Sequence, residues 1–252
     1  MRLRRFAAAL FWVAAPLLAG CFQTSTLVKL KPDGSGTIEL TTTVSTIPSD
    51  VYDPSDPDPF TVSGVRAEAD ELGSGVTFVS GAKLDAPGRK GIRAVYAFKD
   101  IRTVSLAMLN TPADLEFWDK SNNPFTFEFT RLPNGHALLT IENPMVTPPD
   151  EPAPAGGTKP APDGEYEKYV QALIAGSKID FAIQVGHLVK TNSAYADGGK
   201  VTLLNVDFDQ LLANAAWVEK LEKATTLGAE ALQGVKGIKI SPDPKVTIEF
   251  RK

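Results

Sequence analysis

The first 21 residues bound what the rest of the chain can fold into. Arg2, Arg4 and Arg5 form a cationic head, the run from Phe6 to Leu18 carries no charge, and Leu18-Ala19-Gly20 leads into Cys21. A charged head, an apolar run and a small-residue end read together as a secretory signal segment. The apolar run is too short to cross a hydrocarbon layer of about 30 Å as a permanent helix. The body is therefore expected to fold outside the cytoplasm, from Cys21 onward. Cys21 is the only cysteine of the 252 residues, so no internal disulfide or thiolate metal site can support that body. Its core has to hold by packing.

The ending Leu18-Ala19-Gly20-Cys21 resembles the lipobox of bacterial lipoproteins. The resemblance implies cleavage by signal peptidase II between Gly20 and Cys21, with Cys21 becoming the lipidated first residue. An ordinary secreted protein with a cysteine beside its cut is the plainer alternative. Phe22, and not aspartate, follows the cysteine. In double-membrane bacteria that implies sorting to the outer membrane, periplasmic face.

Loss of Met1 to Gly20 removes three arginines and no acids, taking the net charge from -4 to -7. No basic stripe offers itself to phosphates, which speaks against nucleic acid as a partner. Acidity also gives no pull toward anionic lipid, so contact with the membrane is expected through the lipid anchor. A chain of this length supports one large domain or two small ones.

The body reads as short strands punctuated by turns. Val28 and Leu30 alternate with lysines, and Ile38, Leu40, Thr42 and Val44 continue the period of two. Between them Pro32-Asp33-Gly34-Ser35-Gly36 predicts a hairpin turn, in which glycine supplies positive φ and Asp33 caps its own backbone. No Lys-Ser/Thr pair follows, so the turn is not a phosphate cradle. Asp50, Asp53, Asp56 and Asp58 lie in a Pro-rich loop whose spacing matches no EF-hand, and a solvated acidic loop is expected. Phe60 to Leu72 has helical spacing, ended by Gly73 and Gly75. A second hairpin, Val76–Leu84 with Ile92–Phe98, turns at Pro87-Gly88-Arg89. Residues 100–109 read equally as strand or short helix.

Phe125, Phe127 and Phe129 share one face of a strand that turns at Pro133-Asn134-Gly135 and returns as Ala137 to Ile141. These three rings form either solid core or the lining of an apolar ligand pocket. Residues 145–164 are poor in large apolar side chains and rich in proline, a linker or a long excursion. Beyond them the spacing predicts a helix from Tyr166 to Ile174, then strands from Ile179 and from Val201. A helix is expected over Asp207–Lys223, and a last strand over Lys245–Phe250.

The expectation is an α+β fold, an antiparallel sheet of β-hairpins with a few helices packed on one face. The parts are a signal peptide (1–20), a β-rich part (21–144), the Pro-rich linker or loop (145–164) and a helix-strand-helix-strand part (165–252). The last is expected to belong to the same domain as 21–144.

The body resembles the LppM-type domain of bacterial lipoproteins. The resemblance is carried by Asp33-Gly34-Ser35-Gly36, Leu72-Gly73-Ser74-Gly75-Val76 and the run from Gly91 to Ile101. Later come the run from Val185 to Ser193 and Asp197-Gly198-Gly199-Lys200-Val201-Thr202. It implies an α+β lipid-binding-like fold with no known catalysis. The Pro-rich insertion, and an end at Phe250-Arg251-Lys252 without the C-terminal membrane helix that some relatives carry, depart from the pattern.

Catalytic chemistry has few carriers. His136 and His187 are the two histidines, one just after a turn and one at a strand end, far apart in sequence. No nucleophile elbow, His-Glu-x-x-His, Walker or dinucleotide fingerprint occurs, and neither a metal nor a cofactor is expected. A non-catalytic module that binds a lipid or other apolar envelope molecule is the leading expectation. A lipoprotein that docks another envelope protein is the alternative. A hydrolase built on a carboxylate pair is the third, though nothing in the sequence picks two carboxylates out.

Overall fold

The computed structural model describes residues 22–45, 60–106, 124–144, 175–214, 232 and 234–252. Cys21, the acidic loop, the Pro-rich segment and the helix expected at Tyr166–Ile174 lie outside them.

The chain starts where the period of two starts. Strand β1 (Phe22–Leu30) and β2 (Gly36–Ser45) pair antiparallel around the turn, with Val28 opposite Ile38. Gly34 takes φ 89° there, and the Asp33 carboxylate accepts from the Ser35 amide at 2.9 Å. Helix α1 (Val62–Ala67) is capped by the Thr61 hydroxyl and runs into a 3-10 turn, Glu68–Asp70. The next hairpin is β3 (Thr77–Ala86) with β4 (Arg89–Phe98), and β4 pairs with β2. A 3-10 turn over Ile101–Thr103 follows, and Val104 and Leu106 form isolated bridges, so residues 100–106 are a short helical turn and bridges, while 107–109 lie outside the described residues.

Strand β5 (Thr126–Arg131) turns into β6 (Ala137–Glu142). Then come β7 (Lys178–Gln184), β8 (His187–Thr191), β9 (Ala196–Asp197) and β10 (Lys200–Asp207). Helix α2 (Phe208–Leu212) stands at the start of the stretch Asp207–Lys223 expected as one helix but ends at Leu212 with Ala213 as its C-cap, and the Asp207 carboxylate caps it through the Gln210 amide. The last strands are β11 (Ile238–Ile240) and β12 (Lys245–Arg251).

These strands form two sheets. The larger, of eight strands, runs β11-β10-β7-β1-β2-β4-β3 with β9 beside β10, and the smaller runs β5-β6-β12-β8. Strands from before and after the Pro-rich segment share both sheets. One row crosses five strands of the large sheet, Tyr96, Ile38, Val28, Ile183 and Val201, every side chain fully buried. The row is the centre of one hydrophobic cluster that includes residues of both sheets.

Two features correct the expected α+β fold. The structure is mostly β, and its described helices are short, α1 of 6 residues and α2 of 5. The sheet is also not antiparallel throughout. β1 pairs parallel with β7, Val28 opposite Ile183, which makes the large sheet mixed. The physical reason for the first lies in the late strands. β5, β6 and β12 alternate, so they carry an apolar face of their own that needs cover, and they find it against the large sheet. Phe125, just ahead of β5, meets Phe181 of β7 edge-on at 4.7 Å between ring centroids. A second sheet stands where the helices were expected.

Candidate functional site

The three phenylalanines divide. Phe125 and Phe127 are 1% and 5% exposed and belong to the core. Phe129, two residues on, is only half-buried and reaches a surface cleft. The structure thus brings one of the three to an opening, and the opening is polar.

That cleft has a volume of about 280 Å³ and is lined by Asp33, Lys99, Asp100, Arg102, Phe129 and Arg131. Three segments supply it. Asp33 comes from the β1–β2 turn, Lys99 to Arg102 from the end of β4 and its 3-10 turn, Phe129 and Arg131 from β5. The Gly34 carbonyl accepts from the Ile101 amide at 2.9 Å, which ties the first two segments together. A side chain at Gly34 would begin 3.2 Å from the Phe129 ring, so the glycine lets the turn close over the ring as well as supplying its positive φ.

The charges of the cleft are unevenly matched. Asp100 accepts from Arg102 Nε at 2.9 Å and from Nη2 at 2.6 Å, and from the Arg102 amide at 3.0 Å. The guanidinium holds the Asp100 carboxyl below its usual range. Asp33 is lowered too, first by the hydrogen bond from the Ser35 hydroxyl at 2.7 Å. Arg131 makes one long bond, Nη2 to the Asp33 carbonyl at 3.4 Å. Lys99 is exposed and has no side-chain partner among the described residues.

The outer face of the large sheet contrasts with this. Glu39 receives both Lys29 and Arg93, the latter at 2.8 Å, and Lys178 pairs with Asp207 at 2.9 Å. Glu39 is held below the usual carboxylate range, chiefly by the Lys29 hydrogen bond. Each pair joins neighbouring strands.

The histidines sit at one end of the small sheet. His136 directly precedes β6 and His187 opens β8, with β12 between them, roughly 10 Å apart across two strand spacings. Sequence distance hid this closeness. His136 Nδ1 lies 2.7 Å from Glu249 Oε1, and the Asn134 side-chain amide also reaches that oxygen at 3.4 Å. The histidine's hydrogen bond lowers the Glu249 carboxyl. His187 is exposed. Among the described residues no three His, Cys, Asp or Glu side chains gather as a metal site would need. No helix of the described residues is long and apolar enough to cross a membrane.

Gly20 and Cys21 lie outside the described residues, but the next residue does not. The Phe22 amide donates to the Ser177 hydroxyl at 3.2 Å, and its ring meets Phe208 at 6.4 Å between centroids. The strand is fixed from its first residue.

No family model matches the chain, and no curated protein matches it. Among solved structures it is similar to the NMR structure of the folded domain of the Mycobacterium tuberculosis LppM protein. Identity is 10% and the TM-score 0.38, over 92% of this chain and 91% of that chain. At that level the likeness carries no argument about ligand or chemistry.

Proposed function

We propose that this chain is a lipoprotein of the cell envelope, anchored by diacylglycerol on Cys21, whose body is a non-catalytic binding module for a lipid or other apolar envelope molecule. The observation that carries it is the arginine head, the apolar run and Leu18-Ala19-Gly20 before the one cysteine. In a double-membrane bacterium its place is the outer membrane, periplasmic face. Phe129 is the contact open to an apolar group, because the space around Phe125 and Phe127 is already filled. That filling favours the second reading, a lipoprotein that docks an envelope protein by its surface. The non-catalytic part rests on the sequence, where no nucleophile elbow, His-Glu-x-x-His, Walker or dinucleotide fingerprint occurs.

Mass measurement of the purified mature protein tests the anchor. A chain from Cys21 carrying a diacylglyceryl group is expected, and Cys21→Ser should lose both that mass and the cleavage before residue 21. A bare Cys21 thiol, with cleavage elsewhere, would sink the lipoprotein reading. Co-extraction of a bound lipid with the parent protein would support the binding module, and its absence would favour docking.

A further inference from the structure

The cleft at Asp33, Lys99, Asp100, Arg102, Phe129 and Arg131 is a candidate site distinct from the anchor. In a chain of net charge -4, this depression gathers three cations against two carboxylates. Arg102 and Asp100 neutralise each other through their paired hydrogen bonds. Oδ1 of Asp33 is engaged by Ser35, through both the amide and the hydroxyl. Lys99 and Arg131 then remain as donors whose charge no described side chain answers. Donors left open in a shared depression, while Lys29, Arg93 and Lys178 on the same sheet are paired, match an anion from outside.

The geometry points to a sugar carrying a single carboxylate as the ligand of this cleft. The excess charge of the cleft is one, which suits a monoanion. A phosphate dianion would bring a second negative charge against Asp33 and Asp100. Arg131 presents the planar fork that fits a carboxylate, with Lys99 beside it. Oδ2 of Asp33 is free to accept from a sugar hydroxyl, and Phe129 supplies the one apolar wall. The site also lies at the far end of β1 from Phe22, roughly 26 Å along the strand. On the anchored reading, that places the cleft away from the bilayer, where glycans and not headgroups are within reach.

D-Glucuronate, D-glucose and phosphatidylglycerol vesicles, titrated into the detergent-solubilised full chain, test the proposal. Saturable binding of glucuronate, weakened by added salt and about tenfold weaker for Lys99→Gln and for Arg131→Gln, is expected. Both side chains are exposed, so the variants should fold, and Lys239→Gln on distant β11 is the matched control. Glucose should bind far more weakly than glucuronate. Equal binding of glucose, equal binding by the two variants, or no saturable binding of glucuronate would overturn the proposal. So would vesicle binding that falls with Lys99→Gln, which would make the cleft a headgroup site. None of these outcomes bears on the mass of Cys21, so the failure of this proposal and of the anchor remain separable.

Discussion

Within five residues β5 and its lead-in pass from one kind of environment to another. At Phe125 and Phe127 the rings lie between two sheets, one of them edge-on against Phe181. At Phe129 and Arg131 the same alternation opens on a wet cleft lined by five charged side chains. The strand chemistry is unchanged, yet the first end serves cohesion and the second leaves groups unanswered. The difference teaches that an apolar stripe is no guide to a pocket. What marks the open end is the charge that gathers around it, from segments the stripe does not include.

Substitutions along the strand can break that comparison. Phe127→Ala should have the largest effect, a loss of about 3–5 kcal/mol in denaturant unfolding. Thr126→Ala, exposed on the other face, should stay within about 0.5 kcal/mol. A loss well below this range at Phe127 would mean that the dry end holds a cavity after all. Phe129→Ala should cost less, about 1–2 kcal/mol, since the ring is only half-buried. It should also weaken glucuronate binding, whereas Phe127→Ala, if it folds, should not. Equal stability losses at both rings would erase the distinction between the two ends.

The smallest effect belongs to the paired charges. The Glu39 carboxyl is held below the usual carboxylate range, first by the Lys29 hydrogen bond. A carboxylate lowered in the folded state contributes stability that is present above its unfolded pKa and is lost as pH falls through the folded one. Glu39→Gln should therefore cost less than about 1 kcal/mol near neutrality and nothing once the carboxylate would be protonated. Unfolding midpoints of parent and variant, followed from about pH 6 down to about pH 3, should converge. Parallel curves would show that the ladder stabilises nothing through its charge.

Local chemistry was legible and long-range pairing was not. The turns at Asp33-Gly34, Pro87-Gly88 and Asn134-Gly135 all stand where the sequence puts them, each with positive φ at its glycine. A turn residue carries its own conformational preference, so two or three residues suffice. The parallel partnership of β1 and β7 has no such signature, because nothing in Val28 names Ile183. β8 and β11 were missed as strands. β11 is only three residues long, and His187 to Thr191 alternates weakly. The short α1 fell inside a longer helical pattern, Phe60 to Leu72, whose apolar spacing serves packing on β4 through Val65 and Tyr96. The Tyr96 hydroxyl donates to the Val65 carbonyl at 2.6 Å. The cleft was illegible for the same reason as the parallel pair. Lys99 and Arg131 are ordinary surface residues in sequence, and only the closing of the Gly34 turn over Phe129 makes them neighbours.

The mixed sheet also sets an order of events for a chain that emerges from its N-terminus. β1 with β2 and β3 with β4 are hairpins, and β2 pairs with β4 across residues 46–76, so the four strands can assemble as soon as Phe98 is out. The other side of β1 has to wait for β7, and Phe22 bonds a residue 155 positions later. Until then the central strand of the finished sheet is an edge, with open amides and carbonyls beside Val28. Contacts of such separation close slowly, and an unpaired edge invites association with any other extended chain. A chain stalled before Lys178 would thus have a ready-made seam for aggregation.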